Sequence, residues 1–188
     1  MSFSKHCNVH KVNVNGCERD LNLFEVKPGL KIAVLNILGD VELVKAASSG
    51  LAEKLQDVNY DILVTAEAKS IPLAYELSAI TGKPYVVLRK NYKSYMGDAI
   101  KAVSNSITTG KEQFLYLDEK DRDLISGAKV ILIDDVISTG STLKAMKGVM
   151  DKANSEIVFN AAIFTEGDAD KLSDIICLGH LPLFFYLA

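Results

Sequence analysis

The stretch VILIDDVISTGSTLKAM, from Val130 to Met146, decides the fold and carries most of the chemistry of this chain. Its first four residues are apolar and predict a buried strand, while Leu143 and Met146 begin the apolar stripe of a helix. Between strand and helix stand two adjacent carboxylates, Asp134 and Asp135, and a run of small hydroxyl residues. A buried strand followed by an amphipathic helix is the repeating unit of a parallel sheet covered by helices.

The same alternation extends outward from this stretch. Apolar runs predict further strands at residues 32–38, 60–65, 84–88 and 156–164, and spacings of three and four predict helices at 41–55 and from 73 to about 82. The predicted fold class is therefore α/β, a mostly parallel twisted sheet with helices on both faces.

Three segments do not follow this rhythm. Residues 102–108 and 113–117 are weak strands that predict a hairpin above the sheet. The two ends of the chain, about 1–40 and 165–188, are expected to pair as a small hood over a core of about 41–164. The length of 188 residues favours one domain spanning 1–188.

Composition excludes several classes of protein. Hydrophobic residues make up 48% and charged residues 24%, as in a soluble globular domain. The net charge of -3 disfavours nucleic acid as a partner, and no apolar run is long enough to cross a membrane. Three cysteines without tight spacing favour a reducing, cytoplasmic setting. The group His6, Cys7, His10 and Cys17 matches no standard spacing of four zinc ligands.

The acidic pair and the following loop predict a binding site. Adjacent strand residues point to opposite faces, so we expect the strand to end at Asp134 and Asp135. Two carboxylates there can accept hydrogen bonds from neighbouring hydroxyls or hold a cation through water. The loop Ser138–Thr142 at a helix N-terminus suits a phosphate, so the stretch fits ribose 5-phosphate. A simple helix cap explains the loop but not the acids, and the spacing is not that of a Walker A loop.

Polar residues also follow two other predicted strands. One turn is Ala66-Glu67-Ala68-Lys69-Ser70, where backbone N–H groups can meet an anion or Ser70 can simply cap a helix. The other stretch holds three cations within five residues, which suits a multiply charged diphosphate: Arg89, Lys90 and Lys93.

The motif VILIDDVISTGST resembles the phosphoribosyl-pyrophosphate (PRPP) binding motif of the type I phosphoribosyltransferases, and residues 30–188 look most similar to the adenine/xanthine branch. The resemblance implies that Asp134 and Asp135 bind the ribose and act in catalysis by steadying the sugar cation. It implies a ribose 5-phosphate site formed by Asp134, Asp135, Val136, Ile137, Ser138, Thr139, Gly140, Ser141 and Thr142.

The resemblance also assigns the remaining segments. It implies that pyrophosphate binds at Ala66, Glu67, Ala68, Lys69, Arg89, Lys90 and Lys93, although the family's adenine enzymes usually carry Glu-x-Arg-Gly where this chain has Lys69 and Ser70. It implies that the base lies near Leu38, Gly39 and Asp40, and that residues 104–113 form a mobile loop closing over the site.

The activity implied is purine salvage, most simply adenine plus PRPP giving AMP and pyrophosphate. The alternatives are a hypoxanthine or xanthine enzyme, or a PRPP-sensing regulator without catalysis. Mg²⁺ is expected to enter with PRPP and water rather than on a direct protein ligand. A free purine base and PRPP are the expected partners, in a homodimer.

Overall fold

The computed structural model describes residues 9–105, 112–171 and 174–186. The strands are β1 (Val9–Val14), β2 (Cys17–Lys27), β3 (Leu30–Ala33), β4 (Ile62–Ala66), β5 (Tyr85–Leu88), β6 (Ile100–Asn105), β7 (Glu112–Leu117), β8 (Lys129–Ile137), β9 (Glu156–Glu166), β10 (Ile175–Leu181) and β11 (Phe184–Phe185). The helices are α1 (Val41–Leu55), α2 (Ile71–Thr81), α3 (Arg122–Ile125) and α4 (Ser141–Lys152).

A five-stranded parallel sheet in the order β10-β9-β8-β4-β5 forms the centre of the molecule. Successive residues of β8 alternate between its two faces. Ile131 and Ile133 belong to a core cluster with α1 and α2, whereas Val130 and Leu132 belong to a second cluster with α4. Because both faces are covered, the central strands are apolar on both sides, and the predicted α/β fold is confirmed.

The hood is a four-stranded antiparallel sheet in the order β1-β2-β3-β11, so both chain ends contribute to it as expected. The C-terminal segment nevertheless divides between the two sheets. Residues 175–181 form the edge strand of the parallel sheet, and Phe184–Phe185 pairs with β3. The strand predicted at residues 32–38 also differs, since β3 ends at Ala33 and lies in the hood. Apolar alternation predicts a strand but does not determine which sheet it joins.

The predicted hairpin is present as β6 and β7, which pair antiparallel above the sheet. Arg89 and Tyr116 exchange two backbone hydrogen bonds of 2.9 Å, which tie the hairpin to the end of β5. Residues 106–111, where most of the expected mobile loop falls, lie outside the described residues. None of the helices in the described part of the chain is long and apolar enough to span a membrane.

Candidate active site

The acidic pair lies inside β8 rather than at its end. The strand continues to Ile137, so the expectation that it ends at the acids was wrong. On one side β8 pairs with β9 along this whole segment, but on the other its pairing with β4 stops at Ile133 opposite Thr65. Asp134 and Asp135 therefore lie beyond the end of β4, where another segment can reach them.

Ser70 fills this space. Its hydroxyl donates to Oδ1 of Asp134 at 2.8 Å and accepts the backbone N–H of Asp135 at 2.9 Å. The alternative that Ser70 merely caps α2 does not hold, because its side chain makes no capping hydrogen bond. The sequence does not indicate this role of Ser70, because no local signal identifies a contact between residues so far apart in the chain.

Lys69 provides the charge partner of the second acid. Its ammonium lies 2.7 Å from Oδ2 of Asp135. The lysine side chain is 50% exposed, and the aspartate side chain is 8% exposed. Oδ2 receives no directed hydrogen bond from the described residues, so the contact is mainly one of charge. A half-exposed ammonium that neutralises a buried carboxylate can also reach an incoming anion.

Asp134 titrates near neutrality. Burial and then the charge of Asp135 raise the pKa of Asp134 to about 7, while the hydrogen bond from Ser70 acts in the opposite direction. In the unliganded protein this carboxyl is therefore partly protonated at neutral pH. A group of this kind at the edge of a pocket is a candidate for function.

The loop Ser138–Thr142 connects β8 to α4 and, together with Asp134, Val136 and Ile137, lines one pocket. Helix α4 begins with Gly140 as its N-cap, at φ +72°, and receives no capping side chain there. The alternative that the hydroxyl residues of this loop serve only to cap the helix therefore does not hold. The positive end of α4 instead faces a pocket lined by small hydroxyl residues, an arrangement that suits a phosphate.

Glu67 ties the turn after β4 to the basic stretch after β5. Its Oε1 lies 3.1 Å from Nε of Arg89, and its Oε2 accepts the backbone N–H of Lys90 at 2.9 Å. A hydrogen bond with Tyr95, followed by the charge of Glu67, raises the pKa of Arg89. Glu67 thus contacts the side chain of Arg89 and the backbone of Lys90, and the side chains of Lys90 and Lys93 are exposed.

The three strand ends that carry chemistry are therefore joined in one place. The turn at residues 66–70, called the diphosphate loop below after its expected role, contacts the acid pair through Lys69 and Ser70 and the basic stretch through Glu67. Within it Ala66 is buried, Ala68 is exposed, and the peptide bond between Glu67 and Ala68 is cis. Residues 35–179 match the phosphoribosyl transferase domain family.

The chain belongs to this family.

Curated relatives and solved structures support the assignment. A hypoxanthine/guanine phosphoribosyltransferase of Methanobacterium lacus is 37% identical over 131 residues, which cover 70% of this chain and 65% of the relative. One of Methanococcus voltae is 38% identical over 120 residues, 63% of this chain and 60% of the relative. The chain thus spans less than two thirds of the length of these relatives.

Among solved structures, an adenine phosphoribosyltransferase of Thermoanaerobacter pseudethanolicus superposes with a TM-score of 0.69 at 19% identity, covering 92% of this chain and 95% of that one. The enzyme of Giardia lamblia complexed with 9-deazaadenine gives 0.68 at 20% identity, covering 93% and 94%. At these identities the likeness shows the fold.

The residues predicted near the base precede α1 in this phosphoribosyltransferase fold. Asp40 is engaged structurally: Nε of Arg19 lies 2.7 Å from its Oδ2, and the N–H of Leu43 donates to Oδ1 at 3.1 Å. The hydrogen bond from Arg19 lowers the pKa of Asp40. A base at this position would therefore meet the half-exposed side chain of Leu38 and the backbone at Gly39 rather than a free carboxylate.

The described residues contain no group of three or more His, Cys, Asp or Glu side chains able to hold a metal ion. Cys17 is buried in the core and His10 packs edge-on against Phe184, so neither is arranged as a ligand. Asp134 and Asp135 are oxygen donors of the type that Mg²⁺ prefers, but Ser70 and Lys69 already engage them. This donor set fits a metal carried by the substrate rather than one resident in the protein.

Proposed function

We propose that this chain is a purine phosphoribosyltransferase that transfers the phosphoribosyl group of PRPP to a free base. The observation that carries the proposal is the contact of the diphosphate loop with the acid pair through Lys69 and Ser70. This contact supports the proposal because it brings together the turn proposed to bind diphosphate and the two carboxylates proposed to bind ribose. The pocket at the start of α4 supplies the place for the 5-phosphate.

In the proposed reaction a base nitrogen forms a bond to C1 of the ribose as the C1–O bond to diphosphate breaks. The bonding electrons leave with pyrophosphate, and the nitrogen loses its proton to solvent. Positive charge grows on the sugar and negative charge on the leaving group. Asp134 and Asp135 hold the ribose hydroxyls close to the sugar cation, and Lys69 and Arg89 stabilise the departing diphosphate.

The proposal includes Mg²⁺ bound by PRPP oxygens and water. A divalent ion there would neutralise charge on the diphosphate as it leaves. The protein side chains bind and orient the substrate, and no covalent intermediate with the protein is needed.

Two classes of base are candidates, 6-oxopurines and adenine. The curated relatives, at 37% and 38% identity, are named for hypoxanthine and guanine, and this favours a 6-oxopurine. Adenine, the base implied by the resemblance of the whole chain to its branch, remains the second candidate. A homodimer and a single domain belong to the same proposal, and light scattering of the purified chain tests the dimer.

The decisive experiment is a panel of bases with PRPP and Mg²⁺, followed by pyrophosphate release. Hypoxanthine, guanine, xanthine, adenine and orotate are compared in the wild type, in Asp134→Asn/Asp135→Asn and in Asp57→Asn, an exposed carboxyl that serves as control. Turnover with a purine that is lost in the double variant and kept in the control supports the enzyme and names its base. PRPP binding without turnover would favour the PRPP-sensing regulator. The absence of both PRPP binding and turnover would refute the proposal.

A further inference from the structure

Ser70 connects the diphosphate loop to the acid pair through its side chain. The residue is 2% exposed, and its hydroxyl donates to Asp134 and accepts from the backbone of Asp135, at 2.8 and 2.9 Å. A hydroxyl has one proton to donate, so this pair of bonds fixes its orientation. The position of the Asp134 carboxylate is thereby set from a segment 64 residues earlier in the chain.

The surroundings of Asp134 make this bond consequential. The charged groups that face it are Asp135, next to it on β8, and Lys69, which approaches from the diphosphate loop but pairs with Asp135. The loop Ser138–Thr142 on the other side contributes hydroxyls. The backbone N–H of Asp135 also donates to this carboxylate, to Oδ1 at 2.9 Å.

We propose that Ser70 is a positioning residue, whose hydroxyl favours the ionised form of the Asp134 carboxylate and holds it in the orientation that accepts the ribose hydroxyls. This inference rests on the proposed function. It gives the turn after β4 two tasks, since Lys69 meets the diphosphate while the next residue organises the ribose site.

The direction of the effect on protonation follows from the hydrogen bond. The Ser70 hydroxyl lowers the pKa of Asp134 against the opposing influence of burial and of Asp135. Removing the hydroxyl raises that pKa further, so a larger fraction of the carboxyl is protonated at a given pH. A protonated Asp134 accepts fewer hydrogen bonds from the ribose, and the loss of affinity should therefore shrink as the pH rises.

The test is calorimetric titration of ribose 5-phosphate, without divalent metal, over a series of pH values. The variants are Ser70→Ala, Ser70→Gly as a second form without the hydroxyl, and Ser70→Thr, which restores it. Ser48→Ala is the matched control, because Ser48 is also fully buried but donates to the carbonyl of Leu73 instead. Thermal melts establish which variants are folded.

We expect Ser70→Ala to bind ribose 5-phosphate about tenfold more weakly than wild type near neutral pH. The two affinities should become equal about one pH unit above the pH at which Asp134 of the wild type titrates. Ser70→Thr should recover most of the affinity, and Ser48→Ala should retain it. An equal loss at every pH, no loss, or the same loss in Ser48→Ala would overturn the role of Ser70. If the wild type itself does not bind ribose 5-phosphate, the proposed function fails and takes this inference with it.

Discussion

The charge of Asp134 depends on the fold. Its pKa of about 7 in the folded protein lies well above the ~3.9 of an unfolded aspartate. A carboxyl whose pKa is raised on folding binds more protons in the folded state, so it lowers stability progressively as the pH rises from about 4 to about 7.

We therefore expect Asp134→Asn, which keeps an oxygen acceptor for Ser70, to be more stable than wild type at about pH 8 by on the order of 2 kcal/mol. At about pH 4 most of the advantage should vanish, because the wild-type carboxyl is then protonated in the folded state and about half protonated in the unfolded state. Urea unfolding at both pH values measures the difference, with Asp57→Asn as the exposed control. A stability advantage of the same size at both pH values would contradict a raised pKa of Asp134.

Lys69 presents a separate test at the residue scale. Its half-exposed ammonium pairs with Asp135 in the unliganded protein, and in the proposed function it contacts the diphosphate. Lys69→Gln should weaken the binding of inorganic pyrophosphate by about tenfold or more, because a charge-assisted contact is lost. Lys69→Arg keeps the charge and should retain most of the affinity.

Lys54→Gln, in the last turn of α1, removes an equal charge outside the diphosphate loop and is the control. Calorimetry with pyrophosphate and Mg²⁺ measures all three variants. Equal weakening by the changes at positions 54 and 69 would mean that net charge, and not the position of the ammonium, governs binding.

At the scale of elements, the junction of β8 and α4 depends on a backbone conformation. Gly140 has a φ of +72°, in the region that favours glycine, and a methyl group added there would meet no atom within 4 Å. The cost of Gly140→Ala is therefore conformational rather than steric, about 1 kcal/mol of stability. The substitution should also shift the loop and weaken the binding of ribose 5-phosphate.

Gly127→Ala is a matched control for that prediction. Gly127 has a φ of +75° and equally open surroundings, but it lies in the turn before β8. We expect a similar loss of stability by urea unfolding and unchanged affinity for ribose 5-phosphate. If both variants lose affinity equally, Gly140→Ala acts through general destabilisation and not through the conformation of the loop between β8 and α4.

At the scale of the whole molecule, Arg19 and Asp40 join the hood to the core. Arg19 lies on hood strand β2, and Asp40 is the N-cap of core helix α1. The two side chains make a double hydrogen bond of 2.7 and 2.8 Å, and Glu42 adds a third contact to Arg19 at 2.8 Å.

Two substitutions separate the roles of Asp40. Asp40→Asn removes the charge but keeps an acceptor for the N–H of Leu43, whereas Asp40→Ala also removes the cap and should cost about 1 kcal/mol more. Arg19 lowers the pKa of Asp40, so the contribution of its charge is present above the unfolded pKa of ~3.9 and is lost as the pH falls through the lower folded value.

The stability gap between wild type and Asp40→Asn should therefore be largest at neutral pH and disappear in acid. Urea unfolding across this range checks it, with Asp20→Asn as an exposed control on β2. A gap that persists unchanged in acid would show that the charge of Asp40 is not what joins the hood to the core.

The sequence alone determined the α/β class, because the order of buried strands and amphipathic helices is written in local periodicity. It also determined the candidate phosphate loop, since the motif from Val130 to Thr142 holds acids, hydroxyls and glycine within one strand–helix junction. Both predictions depend on residues that are neighbours in the chain, and for such residues sequence spacing fixes direction in space.

Only the tertiary structure decided which segments meet. The sequence predicts a strand at residues 32–38, but the strand that forms is β3 at residues 30–33, and its pairing with β2 and β11 assigns it to the hood, while residues 175–181 complete the parallel sheet. Ser70 reads as a helix cap, yet its hydroxyl serves Asp134, because β4 ends early and leaves that side of β8 open. Strand partners and contacts across 64 residues depend on packing of the whole chain, which no local pattern encodes.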